Sequence, residues 1–366
     1  MSPSALKRPP VFHFGRPFDQ RRSVTRRKSA GLTLIELLVA ITLSLLIMTA
    51  LVALQANVSR TNNEMAKTNQ LIENGRFALQ LMQADVAHAG YWAGYQPTEA
   101  TAVPDPCLAF ASWPTVAADR EAYVNNLMAV PVQGYASGAS LSGCSSGLPA
   151  AVLANSSVLI VRHANTCVFG EANCAGGTDT GPHLQLSACR TAAPPEPSLI
   201  VSGTAADFVL LQKDCTTLAA RRKFNVSVYY LATSAGLPSL MRMPFENGTF
   251  SPAQPLVEGI EAFQAEYGLD DLGSNGNPIS ATNPGDGNAD TFVSCSPSCN
   301  LAQLDNVVAV KLHVLARNLE RTAGYTDSKS YQVGPLALGP FNDSFKRHVF
   351  STTVRLVNPS SRRETP

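Results

Sequence analysis

The chain has 366 residues, of which 45% are hydrophobic and only 15% are charged. This composition excludes an intrinsically disordered protein and supplies enough apolar mass for one or two folded domains. The net charge of +1 hides an asymmetry, because residues 1–30 hold eight basic residues and one acid, a net charge of +7 that leaves −6 for the rest. A basic head on a mildly acidic body is poor evidence for nucleic-acid binding and fits the cytoplasmic flank of a membrane segment better.

A long apolar segment follows this basic head. From Leu37 to Leu54 there is no charged residue, and only Thr42, Ser44 and Thr49 are polar. These 18 residues would form about 27 Å of helix, close to the thickness of a hydrocarbon core. A cleaved secretory signal would have a shorter apolar region that ends at a small-residue cleavage site. We therefore predict a retained membrane helix at residues 32–55.

One acid, Glu36, stands at the start of the apolar segment. One interpretation is a helix N-terminal charge, which the helix dipole favours. The other starts from the cost of an ionisable group at the membrane edge, which usually requires a partner of opposite charge. A free amine at the start of a neighbouring helix would be such a partner, and it would require cleavage just before the apolar segment.

The sequence GLTLIELLVA at residues 31–40 resembles the processing site of type IV prepilins and of type II secretion pseudopilins. The resemblance implies that a prepilin peptidase cleaves after Gly31 and that Leu32 becomes N-methylated. It also implies that Glu36 takes part in subunit assembly.

The leader implied by this resemblance, residues 1–31, is longer than most leaders in these families. No methionine lies between Met1 and Gly31. Two translation starts are therefore considered, one at Met1 and one near Val24, which would give the short basic leader VTRRKSAG.

An amphipathic pattern continues beyond Leu54. No proline lies between Pro17 and Pro97, so a single helix is expected from Leu32 to about Ala89. Gly75 lowers helix propensity by about 1 kcal/mol relative to alanine, and Gly90 is expected at the C-cap. The helical spacing predicts buried positions at Leu71, Ala78, Leu81, Met82 and Val86, and water-facing positions at Glu73, Arg76, Gln80 and Asp85.

Two further segments resemble the PilW family of minor pilins. The first is IENGRFALQLM, followed by an acid and AGYW, within residues 70–95. The second is HVFSTTVRLVNPSSR, residues 348–362, which is similar to the terminal strand of that family. Residues 100–200 show no such resemblance. A pilin-like α+β fold is implied, with a long N-terminal helix, membrane-spanning in its first half, packed on an antiparallel β-sheet with disulfide-rich loops.

The body of the chain predicts β-strands from its apolar and alternating runs. Strands are expected at Ser156–His163, Asp207–Gln212, Phe224–Thr233, Asn306–Arg317 and residues 349–358. Such half-buried strands predict a largely antiparallel sheet with one face on the long helix. The alternation places Val308, Val310, Leu312 and Val314 on one face, Lys311, His313 and Arg317 on the other, and Phe350, Thr352, Val354 and Leu356 together.

All eight cysteines follow the apolar segment, which predicts disulfides in an oxidising compartment. Free buried thiols and a metal site are alternatives, although zinc would require a second ligand pair beside Cys295 and Cys299. Sequential neighbours are expected to pair, because short loops close most readily. The disulfide candidates are Cys107, Cys144, Cys167, Cys174, Cys189, Cys215, Cys295 and Cys299.

A loop rich in oxygen ligands spans Asp270–Phe292. In it, Asp286, Asn288 and Asp290 alternate as at the start of a calcium-binding loop. The glycine and terminal glutamate of an EF-hand do not follow in register, so Asx and glycine turns are the preferred interpretation over a calcium site.

The remaining polar and aromatic residues give no catalytic pattern. The histidines are scattered, and the chain lacks a GxSxG elbow, an HExxH motif and a phosphate-binding loop. We therefore predict no enzyme, no catalytic residue and no cofactor. The aromatic group Tyr91, Trp92 and Tyr95 is expected to anchor the core or an interface.

Four segments are predicted along the chain. They are a basic leader at 1–31, a transmembrane and assembly helix at 32–55, the amphipathic second half of the helix at 56–96, and a periplasmic β-rich domain with a cysteine-rich insertion at 97–366. By resemblance, the function expected is that of a minor pilin that primes type IV pilus assembly and supports adhesion and twitching motility.

The resemblance also implies partners and a location. The partners expected are the prepilin peptidase, other minor pilins, the major pilin, the inner-membrane assembly platform and membrane lipid, with no nucleic acid. The location expected is the bacterial inner membrane, with the globular domain in the periplasm, or the pilus fibre. The alternatives are a type II secretion pseudopilin and a pilus-tip adhesin whose insertion, residues 100–220, contacts a surface.

Overall fold

The computed structural model describes residues 31, 33–136, 152–172, 174, 179–191 and 198–364. Contacts divide the chain into two units, residues 1–60 and 61–366. The described residues form four α-helices, α1 (Leu34–His88), α2 (Ala117–Ala129), α3 (Leu301–Asp305) and α4 (Val357–Glu364), with short 3-10 turns at Phe110–Ser112 and Ala205–Asp207.

Three antiparallel sheets complete the described fold and confirm the predicted α+β class. The largest contains β1 (Val132–Tyr135), β2 (Val158–Ala164), β3 (His183–Leu186), β4 (Leu199–Ser202), β5 (Arg221–Ser234), β6 (Leu237–Glu246), β7 (Thr249–Phe250) and β8 (Gln254–Glu258), with the order β1-β2-β5-β3-β4 and β6 beside β5. The second has the order β10-β9-β11-β14, and is built from β9 (Ile260–Leu269), β10 (Thr291–Val293), β11 (Val307–Arg317) and β14 (Arg347–Arg355). A hairpin of β12 (Tyr331–Val333) and β13 (Leu336–Leu338) forms the third.

The long helix begins and ends close to the predicted positions. It has 55 residues and ends at His88, one residue before the predicted end, while Leu32 lies outside the described residues. Gly90 follows with a φ of +72°, a left-handed conformation that glycine adopts without the steric cost of a Cβ. The prediction of a glycine cap is therefore confirmed.

The second half of α1 is the centre of the larger unit. Its buried side chains lie in one hydrophobic cluster with residues of both large sheets, among them Tyr229 of β5 and Val310 of β11. We predicted one sheet on the helix, and the structure places two there. The buried helix positions are Leu71, Gly75, Ala78, Leu79, Met82 and Val86, with Leu81 half-buried.

Gly75 is buried for a reason that the sequence does not show. A Cβ built on this glycine would overlap the ring of Phe350 on β14. Phe350 itself packs against the helix cluster. The glycine that lowers helix propensity thus allows a close approach of helix and sheet at this point.

A second cluster of buried side chains packs under α2. This cluster was not predicted from the sequence. Trp92 is 1% exposed, stacks on Phe224 at 5.2 Å between ring centroids and donates from Nε1 to the Met128 carbonyl at 3.0 Å. The expectation that the aromatic group anchors the core is confirmed for Trp92. Tyr91 and Tyr95 pack against the same cluster while half-buried.

Two strand predictions are wrong in detail. Residues 207–212 form no strand: Leu211 makes only an isolated bridge to Leu218, and the Leu210 N–H donates to the side chain of Gln185. The residues Phe208 and Leu210 are nevertheless buried. In β11 a register shift between Val307 and Ala309 puts Val307, not Val308, in the cluster with Val310, because a bulge reverses the alternation of side chains.

Disulfides join the cysteines as sequential neighbours wherever both partners are described. They are Cys167–Cys174, Cys189–Cys215 and Cys295–Cys299. Cys107 is also disulfide-bonded, while Cys144 lies outside the described residues. Because the sulfurs of Cys295 and Cys299 are bonded to each other, the zinc alternative does not hold for this pair.

We predict that Gly75→Ala destabilises the fold although alanine is the better helix former. Overpacking against Phe350 is expected to cost about 1–3 kcal/mol, more than the gain of about 1 kcal/mol in helix propensity. Urea unfolding of the detergent-solubilised chain measures the difference. In a Phe350→Ala background the same substitution should become stabilising, and a loss of equal size in both backgrounds would contradict the proposed contact.

Candidate assembly site

The first turn of α1 is closed by a reciprocal pair of side chains. The Glu36 carboxylate accepts hydrogen bonds from the Thr33 backbone N–H and from the Thr33 hydroxyl, both at 2.9 Å. The Glu36 N–H in turn donates to Thr33 Oγ1 at 3.4 Å. This is a capping box, in which a threonine at the N-cap and a glutamate three residues later satisfy each other's backbone donors.

This capping role of Glu36 was not predicted from the sequence. The signal was present, since TLIE at residues 33–36 fits the pattern of serine or threonine followed three residues later by an acid, directly before an apolar run. The side chain is exposed in the described structure, so a cation can still approach it. The capping role and the charge-pairing role are therefore compatible.

The apolar part of α1 is exposed along its length. Exposed fractions reach 78% for Leu34 and 66% for Leu46. The hydroxyls of Thr42, Ser44 and Thr49 donate to helix carbonyls three or four residues earlier at 2.7–2.9 Å. Such internal bonds lower the cost of placing a hydroxyl in lipid.

By length and composition, α1 is the described helix that could cross a membrane. The predicted cleavage position precedes it directly. Gly31 is exposed, with no atom within 4 Å of the place where a Cβ would lie. Leu32, the predicted N-methylated residue, lies outside the described residues.

A polar contact fixes the far end of α1 on the largest sheet. Asp85 was expected to face water, and that prediction is wrong. Its Oδ1 lies 2.8 Å from Nε2 of His163 on β2, and its Oδ2 accepts a hydrogen bond from the Tyr229 hydroxyl at 2.8 Å. The other ring nitrogen of His163 lies 2.8 Å from the Ala164 carbonyl, so both nitrogens face acceptors and favour the protonated ring.

Charge and burial act in opposite directions on this pair. Burial disfavours the charged form of each group, but the mutual hydrogen bond and attraction outweigh it. The pKa of His163 is therefore raised and the pKa of Asp85 is lowered. The ion pair ties the helix to β2 and explains why this acid packs against the sheet rather than facing water.

We predict a pH-dependent loss of stability for His163→Gln. Because the folded pKa of His163 is raised, its stabilisation is present below its unfolded pKa of about 6.5 and is lost as pH rises through the folded pKa. The cost should be about 3 kcal/mol near pH 5.5 and smaller near pH 9. Denaturant unfolding at both pH values tests this, with His348→Gln, an exposed histidine, as control. An equal cost at both pH values would contradict the ion pair.

Two of the predicted calcium candidates, Asp286 and Asp290, accept hydrogen bonds from main-chain N–H groups of their own loop. Asp290 Oδ2 accepts the N–H groups of Asp271 at 2.9 Å and Leu272 at 2.8 Å. Asp286 accepts the N–H of Asn288 at 2.9 Å. Within the part of the chain that the structure describes, no group of three or more His, Cys, Asp or Glu side chains is arranged to hold a metal. Asp286 thus forms an Asx turn, and Asp290 joins the two ends of the loop.

One row of side chains on the second sheet has the residue types of a hydrolytic triad. Ser351 Oγ lies 2.7 Å from Nδ1 of His313, and Glu266 Oε2 lies 2.8 Å from its Nε2. In serine hydrolases the nucleophile contacts Nε2 and the acid contacts Nδ1, which is the reverse order. The three residues also lie within paired strands β14, β11 and β9. We assign the row to cross-strand pairing.

Two family models match the chain. The model of the type IV pilus-assembly protein W family, PilW, matches residues 228–358, and the model of the prokaryotic N-terminal methylation motif matches residues 26–52. The chain is similar to PilW proteins. The PilW match includes β14 and the start of the predicted terminal segment, while residues 70–95 lie outside it. The methylation-motif match includes Gly31 and Glu36.

A solved structure adds one further similarity to this PilW-like chain. It is a type IV-like pilin from Thermus thermophilus with 13% sequence identity, a TM-score of 0.35, and coverage of 79% of this chain and 96% of that chain. No curated protein sequence matches the chain significantly.

Proposed function

We propose that this chain is a minor pilin that takes part in priming and assembling the type IV pilus. The observation that carries the proposal is the segment from Gly31 to Leu54. It matches the methylation motif, forms an exposed apolar helix that begins just after the predicted cut, and presents Glu36 in its first turn. The PilW match favours a pilus over the alternative of a type II secretion system.

The proposed mechanism starts in the inner membrane, with the basic leader on the cytoplasmic side. A prepilin peptidase cleaves after Gly31, and the new terminal residue Leu32 is N-methylated. The Glu36 carboxylate then pairs with the amine of a neighbouring subunit or of its own Leu32. A carboxylate that is costly alone at the membrane edge becomes tolerable when this cation is present, so the pairing favours insertion of the helix beside other pilin helices.

In this proposal the body, residues 97–366, lies in the periplasm before assembly. The disulfides fit this oxidising compartment. The proposed partners are the other minor pilins, the major pilin and the inner-membrane assembly platform. Adhesion and twitching motility would follow from the pili that this subunit helps to form, with incorporation into the fibre itself as part of the proposal.

Three substitutions separate the charge of Glu36 from its capping role. Glu36→Gln removes the charge but keeps a side chain that can complete a capping box. Thr33→Ala removes the cap, at a cost of about 1 kcal/mol, and keeps the charge. Glu36→Ala removes both. We expect deletion of the gene, Glu36→Gln and Glu36→Ala all to reduce surface pili strongly, and Thr33→Ala to reduce them little, as counted by electron microscopy.

The control is Glu73→Gln, which alters an exposed acid on the same helix beyond the apolar segment. It should leave piliation at the wild-type level. Normal pili with Glu36→Gln together with few pili with Thr33→Ala would show that the cap, not the charge, matters. A deletion strain that keeps its pili but loses protein export would favour the secretion alternative.

A further inference from the structure

Strand β4 ends the path β1-β2-β5-β3-β4 of the largest sheet, with β3 as its single described neighbour. The Ser187 N–H donates to the Ser198 carbonyl at 2.9 Å, which sets the register of the β3–β4 pairing. In an antiparallel pair, hydrogen-bonded positions alternate along each strand. Ile200 therefore faces β3 with its main-chain groups, while the N–H and C=O groups of Leu199 and Val201 face the outer edge.

Neither proline nor charge interrupts this outer edge within the strand. Within the described residues, the main-chain groups of Leu199 and Val201 have no hydrogen-bond partner. The strand is short, but its sequence LIVS contains no proline and no charge, two of the devices by which proteins block further strand pairing. Two residues with outward donors and acceptors are thus available to an added strand.

A groove runs between this edge and helix α2. It is formed by two adjoining cavities of about 550 and 590 Å³ that share Arg120 and Val201, each within the range of ligand-binding pockets. The first cavity is lined by one face of α2 and by Leu199 and Val201 of β4. The contributing positions of α2 are Ala117, Arg120, Glu121, Val124, Asn125 and Met128.

The side chains of the groove specify what it can hold. The guanidinium of Arg120 lies 5.0 Å from the centroid of the Phe110 ring and 5.9 Å from that of Trp113. Within the described residues Arg120 makes no ion pair, so its guanidinium can pair with a carboxylate of a ligand. Val124 and Met128 supply an apolar wall, whereas Glu121, one residue beyond Arg120, disfavours a second acid beside it.

We propose that this groove binds an extended segment of a partner protein as an added strand beside β4. The main-chain groups of Leu199 and Val201 would pair with the segment, and the alternate side chains of the segment would enter the groove. The segment has an acidic residue opposite Arg120 and apolar residues on either side of it. The proposal concerns the 61–366 unit and does not depend on Glu36 or on pilus assembly.

The test is directed at the main chain of β4. Because the Val201 N–H faces the outer edge, Val201→Pro removes this donor and obstructs a new strand without breaking a bond to β3. Val201→Thr is the matched control, because it keeps the N–H and the side-chain shape. The probe is a phage-displayed library of random 12-residue peptides, selected on the detergent-solubilised full chain, with the selected peptides then measured by fluorescence polarisation.

We expect selected peptides that alternate apolar residues around one acid. They should bind wild type, Val201→Thr and Glu36→Ala alike, and bind Val201→Pro at least about 10-fold more weakly. Arg120→Gln should weaken the binding of acidic peptides about 10-fold. It should leave unchanged the affinity of peptides in which asparagine replaces the acid. N-methylation of alternate amides of the peptide should abolish binding to the wild-type protein in one of the two registers.

Three results would overturn the proposal. The first is that no peptide is enriched on the full chain. The second is that binding survives both Val201→Pro and N-methylation in either register, which would indicate a ligand held by side chains alone, such as a glycan. The third is that Val201→Thr weakens binding as much as Val201→Pro. The N-methylated peptides leave the protein unchanged, so they decide the question even if the proline variant folds poorly.

Discussion

The buried face of α1 between Leu71 and Val86 is the constraint on which the rest of the larger unit depends. Both large sheets place side chains in the cluster that this face builds, so neither sheet would have a complete core without the helix. Two contacts set how closely they meet: Gly75 admits the ring of Phe350, and Asp85 binds His163 and Tyr229. A steric contact and an ion pair thus fix one helix against two sheets.

Whereas one face of the second half of this helix is buried against the sheets, the first half is exposed and apolar. Its apolar side chains are exposed, its three hydroxyls are satisfied by its own carbonyls, and its first turn is capped by Thr33 and Glu36. These features suit a segment that first lies in lipid and later packs beside other helices. The cap also means that a single carboxylate serves two purposes, helix initiation and, as we propose, recognition of a subunit amine.

Local patterns in the sequence predicted the long helix, its glycine cap, most long strands and the sequential disulfides. They failed where tertiary contacts decide the outcome. The helical pattern predicts that Asp85 faces water, but its partner His163 lies on β2. Gly75 lowers helix propensity, but it makes room for the ring of Phe350. The 207–212 segment has the composition of a strand, yet it forms only an isolated bridge at Leu211, and the Leu210 N–H bonds to the side chain of Gln185. The groove beside β4 depends on strand order, which a single sequence does not specify.

In the function proposed above, the chain is cleaved before the apolar helix and becomes a pilus subunit. Mass spectrometry of the N-terminal peptide of the protein, recovered from sheared pili and from membranes, tests this most directly. We expect a peptide that begins at N-methylated Leu32, with the unprocessed form accumulating only when the prepilin peptidase is absent. Mature protein that retains residues preceding Leu32 in peptidase-positive cells would contradict the proposed cleavage.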